Sequence, residues 1–280
     1  MKNDWQMDSS VSSIITKTTP LKTVSKIGVP ITKKTIENLS IDKERLQIWN
    51  NWVKIDNEYF YYKGINYIYT FLEELLGEQI SKYFDLNTVH YEIAKRTFKN
   101  SKLVCYGVLS KNFRLKNKSY LEAIDLHLSR YSNFDLFHHL EEYNENGVYD
   151  LLISDLKKML IRDFYTNQKD RITSNNFFFQ IDNGTIRLSP LHDYEYSFEE
   201  VSSKYTNLFA SFDLNDKKVI DFFQKDKEFY FLIQKILLLD MKKMLENIEQ
   251  MYQLEISTYH KNYYINYDEQ VKENILKLGI

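Results

Sequence analysis

Two aspartates and an asparagine flank an apolar stretch near the middle of the chain, and side chains of these types can orient a hydroxyl group or bind a cation. Asp170 and Asn175 precede one apolar run, and Asp193 follows a second. The runs are separated by Asn183-Gly184, and Asn-Gly is the strongest short-range signal for a two-residue β-turn. The sequence therefore predicts a β-hairpin with these polar residues at its open end.

A two-residue turn decides which residues face each other across the hairpin. Asp182 should face Thr185, and counting outward sets Asn175 opposite His192, next to Asp193. Paired strands lie ~5 Å apart, so Asn175 and Asp193 are expected side by side. Amide and carboxylate oxygens are hard ligands that suit Mg²⁺, which takes its remaining ligands from phosphates and water. The pattern predicts a metal-binding hairpin.

Asp170 adds a carboxylate on the segment that leads into this hairpin. Phosphoryl transfer needs a carboxylate to orient the attacking hydroxyl, and metal ions held by an Asn and a second Asp. The segments "DRITSN" and "LHD" supply these three residues in that order. Asn and Asp are also common in turns and at strand ends. The hairpin register and the third carboxylate favour the functional interpretation.

A candidate cation for the phosphates lies earlier in the chain. Lys63 ends the predicted strand "EYFYYKG", and a predicted helix with apolar residues at three-four spacing follows it. Glu74 and Glu78 lie one turn apart on the same side of that helix, so either could face the sheet. The residues alone leave open which of them pairs with Lys63.

The order of the predicted elements indicates an α+β fold of two lobes. Residues 41–112 form a sheet-rich N-lobe with one helix, and residues 113–280 form a helical C-lobe that contains the metal-binding hairpin. Residues 1–40, rich in Ser, Thr and Lys, are expected to be a mobile or loosely packed extension. The helical stretches of the C-lobe are "SYLEAIDLHLSRY", "DLFHHLEEYNE", "GVYDLLISDLKKMLIRDFYT", "FYFLIQKILLLDMKKMLENIEQMYQL" and "YDEQVKENILKLG".

Composition narrows the class of protein. The chain has 280 residues, a net charge of −2 and a pI near 6.3, which argues against nucleic acid as a partner. Its one cysteine excludes a disulfide framework and a multi-cysteine zinc site. No signal sequence precedes the fold, and the most apolar segment is too short to span a membrane. A cytoplasmic protein without a membrane partner is expected.

From about residue 40 onward the chain resembles the HipA-like serine/threonine kinases, and it is closest in size to their compact CtkA-like members. "YYKG" resembles the family's lysine strand, and "GVLSKNF" resembles the strand that enters the hinge between lobes. "DRITSNNFFFQ" stands where the family has Asp-Arg-His-x-x-Asn, and "LSPLHDYEYS" where it has an apolar-Pro-apolar-x-Asp segment. "GEQISKYFDLNTVHYEI" resembles its helix-turn-strand segment that begins with a Glu.

This resemblance implies a bilobal, protein-kinase-like fold and transfer of phosphate from ATP, with Mg²⁺, to a Ser or Thr hydroxyl of a protein. It implies that Lys63 contacts the ATP phosphates and pairs with Glu78. It also implies that Asp170 is the catalytic base, and that Asn175 and Asp193 hold Mg²⁺. The hinge at residues 109–113 would offer backbone groups to adenine.

Two departures from the family pattern keep alternatives open. Ile172 replaces the His of Asp-Arg-His, and no glycine-rich phosphate loop precedes the strand "LQIWNNWV". The segment "SIDKER" could cover phosphates with Lys43 or Arg45, or it could be an ordinary polar turn. The missing loop favours a pseudokinase, a nucleotide-binding or protein-interaction module without transfer activity. A small-molecule acceptor, or transfer of AMP, is a third hypothesis.

Overall fold

The structure of the protein is a computed structural model. It confirms the α+β class that the sequence predicts. The residues that this structure describes are 10–24, 52–65, 67–97, 104–113, 119–122, 135–168, 171, 178–182, 184–206, 211–277 and 279.

A five-stranded sheet carries the lysine strand. Its spatial order is β1-β4-β5-β3-β2, with β1 parallel to β4 and every other pair antiparallel. Asp56 and Asn57, both at positive φ, form the tight turn between β2 and β3. The four strands predicted in this region are therefore confirmed. The strands are β1 (Lys22–Val24), β2 (Trp52–Ile55), β3 (Glu58–Gly64), β4 (Tyr91–Thr97) and β5 (Val104–Lys111).

Helix α1 (Ile68–Tyr83) follows β3 and packs on one face of this sheet. It is the helix predicted from three-four spacing, and its apolar residues, including Phe71, Leu72 and Leu76, are fully buried. The opposite face of the sheet is covered by a separate, smaller cluster of buried side chains. That cluster consists of Val24, Val53, Phe60, Tyr62, Ala94 and Leu109.

The described residues after this sheet form six further helices and two small antiparallel sheets. β6, β7 and β8 form one sheet, and β9 and β10 form the other. No helix among the described residues has the length and apolar character needed to cross a bilayer. The elements are β6 (Ser119–Glu122), α2 (Asp135–Glu142), α3 (Asp150–Thr166), β7 (Phe178–Asp182), β8 (Thr185–Leu188), β9 (Lys204–Thr206), β10 (Ser211–Asp213), α4 (Lys217–Lys225), α5 (Lys227–Leu238), α6 (Met241–Tyr252) and α7 (Thr258–Lys277).

Two predicted helices differ from the structure. The first four residues of "SYLEAIDLHLSRY" form β6, because they pair with β7, a contact that local periodicity does not encode. The single helix predicted over residues 229–254 is divided into α5 and α6. Leu239 is extended, and the Asp240 side chain accepts the backbone N–H of Lys243, so a new helix begins there.

One continuous cluster of buried apolar residues runs from α1 to α7. It includes Leu75 and Ile80 of α1, Leu156 and Met159 of α3, and Val271 of α7. Since α1 shares this cluster with the later helices, the described residues of the two predicted lobes are packed around one main core. The boundary predicted between two lobes stays a prediction.

The described part of the predicted N-terminal extension packs against the rest of the chain. Val11 and Ile14 are buried in the main core. The hydroxyls of Thr16 and Thr19 both donate to the carbonyl of Gln253, each at 2.8 Å, at the end of α6. β1 then completes the edge of the five-stranded sheet. Residues 10–24 are therefore part of the folded unit.

Ile14→Ala should destabilise the protein by about 2–5 kcal/mol, the usual cost of truncating a fully buried Ile. Ile15→Ala, which truncates the half-buried neighbour, should cost clearly less. Urea unfolding of both variants measures the difference. Equal, small losses would show that residues 10–24 do not pack in solution as described.

Candidate functional site

Lys63 lies at the centre of a carboxylate cluster that three separate parts of the chain build. Its Nζ is 2.6 Å from Glu74 Oε1, on α1, and 3.0 Å from Glu195 Oε2. It also forms an ion pair with Asp193 Oδ1. Burial lowers the pKa of Lys63, but the charges of Glu74 and Asp193 outweigh it, and the net shift is upward. Lys63 is therefore a permanently charged cation.

Glu78, which the family resemblance paired with Lys63, has other partners. Its carboxylate accepts the backbone N–H of Tyr91 at 2.9 Å, lies 2.8 Å from His90 Nδ1 and bonds to Lys82. Burial raises the pKa of Glu78, but these hydrogen bonds prevail, and the net shift is downward. The expected Lys63–Glu78 pair is not formed. Because the two glutamates lie one turn apart on α1, Lys63 reaches only the one beside it.

The carboxylates around Lys63 fit a divalent cation. The ligand oxygens of Glu74, Asp193 and Glu195 all lie within 4.8 Å of one another. Glu74 is fully buried, whereas Asp193 and Glu195 are partly exposed. Burial raises the pKa of Asp193, but the charge of Lys63 and its hydrogen bond lower this pKa by more. The net shift is downward, which favours the ionised carboxylate. The described residues thus place three carboxyl groups beside one ammonium group, and carboxylate oxygens are ligands that a divalent cation prefers.

Helix α1 also holds the backbone that carries Asp193. Glu74 Oε2 accepts the N–H of Tyr194 at 3.1 Å, and Glu73 Oε2 accepts the N–H of Tyr196 at 3.1 Å. The Tyr194 ring lies against Gly77, where an added Cβ would be 2.2 Å from Tyr194 Cγ. Only a glycine at this position lets the ring approach the helix so closely. The position of α1 and that of the 193–200 segment (residues 193–200) are thus interdependent.

The end of α3 holds the same segment from another direction. Gln168 Nε2 donates to the carbonyl of Asp193 at 3.2 Å, and the Ser197 hydroxyl donates to Gln168 Oε1. Phe198 donates its N–H to the carbonyl of Thr166 at 2.7 Å. These bonds join the residues just before "DRITSN" to the backbone of Asp193, which adopts a left-handed conformation.

The hairpin register predicted from the turn is confirmed where it is described, since Asp182 pairs with Thr185 and Phe179 with Leu188. β8 ends at Leu188. Leu191 then pairs with the chain at Thr88, so the strand leaves its hairpin partner before it reaches Asp193. The step that set Asn175 opposite His192 lies outside the described residues. So do Lys43, Arg45, Asp170 and Asn175 themselves, and their roles stay predictions.

Three contributors to the site were not foreseen from the sequence. Glu195 stands two residues after Asp193, and no motif distinguishes it from other surface acids. Gln168 lies two residues before Asp170 and carries no charge that would attract notice. Gly77 lies inside the predicted helix and is a residue of low helix propensity. A glycine inside an otherwise strong helix was the one available signal, since it often marks a close packing contact.

Gly77→Ala should destabilise the fold, although Ala in a helix is normally about 1 kcal/mol better than Gly. The added methyl group meets the buried Tyr194 ring, so that ring or α1 must move. Thermal unfolding gives the sign of the change. In the double variant with Tyr194→Leu, the cost of the alanine should shrink. A more stable Gly77→Ala variant would contradict the described packing.

Stability should also depend on the titration of Glu73. Burial, with the charge of Glu74, raises its pKa from 4.5 to about 8. The unfolded chain therefore loses this proton near pH 4.5 while the folded chain retains it, and stability falls as the pH rises towards 8. One pKa unit corresponds to about 1.4 kcal/mol, so the loss amounts to a few kcal/mol.

Glu73→Gln keeps an acceptor for the Tyr196 N–H and removes this titration. Its Tm should exceed that of the wild type at pH 8, and the difference should narrow at pH 5. Glu200→Gln, at an exposed position of the 193–200 segment, serves as the control. A difference in Tm that does not change with pH would show that Glu73 titrates normally.

The sequence matches no protein-family model and no curated protein. Several solved structures resemble the fold, and those of CtkA and HipA are among them. The Helicobacter pylori proinflammatory kinase CtkA has a TM-score of 0.56 at 12% identity, with 82% of this chain and 94% of that chain covered. HipA of Shewanella oneidensis MR-1, in a structure with HipB and its operator DNA, has a TM-score of 0.52 at 11% identity, covering 81% and 62%. The chain therefore has the fold of the HipA-like kinases, as the sequence motifs indicated.

Proposed function

We propose that this protein transfers the γ-phosphoryl group of ATP, with Mg²⁺, to a Ser or Thr hydroxyl, with a protein as the substrate. The observation that carries the proposal is the cluster of Lys63, Glu74 and Asp193, which brings together a strand, a helix and a loop distant in sequence. Phosphoryl transfer depends on charge neutralisation and positioning, and this cluster supplies both. The fold shared with CtkA and HipA supports the same chemistry.

In this proposal Lys63 binds the ATP phosphates and Glu74 holds the lysine in place. Asp193 and Asn175 hold Mg²⁺, which when bound neutralises charge on the phosphates. Asp170 orients the attacking hydroxyl and accepts its proton. Lys43 and Arg45 are proposed to cover the phosphates in place of a glycine-rich loop. Glu78 is no longer proposed as a nucleotide contact, because its carboxylate binds β4 and Lys82.

Lys63 must exchange partners when the nucleotide binds. Its Nζ contacts Glu74, Asp193 and Glu195 together, and an ammonium has only three protons to donate. Glu74 also accepts the Tyr194 N–H, so it remains in place. Asp193 and Glu195 are the partners that Lys63 would exchange for phosphate oxygens, and their oxygens would then be available to hold Mg²⁺.

A pseudokinase is the second candidate. The sequence has only seven glycines, and none forms a phosphate loop before β2. Such a protein would bind nucleotide or a partner without transferring phosphate. The HipA structure contains HipB and operator DNA, but a net charge of −2 leads us to propose that this chain binds no nucleic acid. The proposal places it in the cytoplasm.

Asp170→Asn tests the catalytic assignment. The variant should retain the ATP- and Mg²⁺-dependent rise in Tm of the wild type. Its phosphate incorporation, measured by mass spectrometry on the protein itself and on a Ser/Thr peptide library, should fall by about 10²–10⁴-fold. Full activity in this variant would eliminate the proposed base. A wild type that binds ATP but phosphorylates neither target would favour the pseudokinase.

Lysine variants test the nucleotide site independently of transfer. Lys63→Met should abolish the ATP-dependent rise in Tm. Lys54→Met, at an exposed position on the neighbouring strand β2, should leave it unchanged. Equal shifts in the two variants would show that Lys63 does not contact the nucleotide.

A further inference from the structure

A second ionic cluster lies behind the site, and it is fully buried. Asp163, in the last turn of α3, is 2.6 Å from Arg162 Nη1 through Oδ1 and 2.6 Å from Arg171 Nε through Oδ2. None of the three side chains is more than 1% exposed. We call Arg162, Asp163 and Arg171 the arginine cluster. Removing ion pairs so completely from water costs desolvation free energy, so the presence of this cluster needs an explanation.

Stability does not supply that reason. Among the described residues, the cluster sets two guanidinium groups against one carboxylate. Nε and Nη2 of Arg162 have no hydrogen-bond partner among the described residues. Unpaired polar groups of this kind cost free energy, and replacing a buried ionic group by an apolar one of similar volume is often neutral or stabilising.

The position of the cluster supplies a different reason. Arg171 directly follows Asp170 in sequence, so the Cα atoms of the two residues are about 3.8 Å apart. Asn175 follows four residues later. The guanidinium group of Arg162 stacks on the Tyr194 ring, with its Cζ 4.4 Å from the ring centroid, and that of Arg171 lies 5.8 Å from the same centroid. The cluster thus connects Arg171, which follows Asp170 in sequence, with Tyr194, which follows Asp193.

We propose that Arg171, held by Asp163, is a positioning residue for phosphoryl transfer, which fixes the backbone beside Asp170 relative to Asp193. This inference rests on the proposed function and adds two residues to it. Asp163 supplies the anchor because its helix packs in the main core and its carboxylate is held by two arginines. Because Arg171 is buried, we expect it to act on the geometry of transfer and not on ATP binding.

The cluster itself offers a matched pair of variants. Arg162→Met and Arg171→Met each remove one guanidinium group that is bonded to Asp163, and each retains an apolar stem of similar length. Either change leaves one arginine of the cluster facing Asp163, and both proteins are expected to fold. Only Arg171 lies in the "DRITSN" stretch, whereas Arg162 lies closer to the Tyr194 ring. Circular dichroism and Tm confirm folding.

Two measurements separate positioning from a structural role. In Arg171→Met, kcat should fall by about 10- to 100-fold with KM for ATP within about threefold of the wild type, as expected for misplaced reacting groups. Hydrogen exchange of peptides covering residues 169–177 should become faster. Arg162→Met should change both quantities clearly less than Arg171→Met does. Arg171→Lys, which restores the charge beside Asp163, should recover most of the lost kcat and slow the exchange again.

Equal changes in the two methionine variants, or no change in either, would overturn the inference. So would a rise in KM for ATP that accounts for the whole loss of activity in Arg171→Met. If the wild type transfers no phosphate, the proposed function fails, and hydrogen exchange then decides the anchoring alone. Faster exchange in Arg171→Met than in Arg162→Met supports an anchor at Arg171, and identical exchange refutes it. If Arg171→Met does not fold, Arg171→Gln against Arg162→Gln, which also removes one guanidinium charge in each variant, gives the same comparison.

Discussion

The buried carboxylate of Glu74 joins three parts of this protein. One oxygen accepts a hydrogen bond from the ammonium group of Lys63 in the sheet, and the other accepts one from the backbone N–H of Tyr194. A charge in a fully buried position costs several kcal/mol unless it is paired and hydrogen-bonded. Any movement of α1 away from the sheet would break both bonds and leave Glu74 unpaired. Glu74 therefore makes the positions of α1, the lysine strand and the 193–200 segment depend on one another.

The packing of α1 reinforces that dependence. Gly77 lies one turn beyond Glu74 and receives the Tyr194 ring, whose hydroxyl is 3.1 Å from the Ser81 hydroxyl. Glu73 accepts the backbone N–H of Tyr196, in the same segment. A helix that presents two carboxylates, a glycine and a hydroxyl to one stretch of backbone fixes both the position and the direction of that stretch. The left-handed backbone of Asp193 is maintained by these contacts and by Gln168.

The sequence was informative wherever local chemistry decides the structure. The hairpin register followed from Asn183-Gly184, and α1 followed from the spacing of its apolar residues, because a two-residue turn and a 3.6-residue period leave few choices. The choice between Glu74 and Glu78 could not be made, since both lie on one side of α1 and only the distance to Lys63 distinguishes them.

Elements that depend on distant partners were missed for the same reason. β1 exists because Lys22 can pair with Ala94, some 70 residues later. β6 exists because it meets β7, although its sequence has helical periodicity. The same limit applies to Glu195, which joins the site only because the chain after β8 turns towards Lys63. Predicting these contacts requires the tertiary fold, which local patterns do not specify.

Charge is distributed unevenly on the two sides of the 193–200 segment. Around Lys63, three carboxylates face one ammonium; in the arginine cluster, two guanidinium groups face one carboxylate. Burial raises the pKa of Asp193, Lys63 lowers it, and Arg171 adds a smaller downward effect, so the charge of the arginine cluster reaches the site. Opposite charges on the two sides of the Tyr194 ring attract each other in a medium of low dielectric constant. Each group of charges that would be costly alone is thus partly compensated by the other, and the segment between them carries the carboxylate on which the proposed chemistry depends.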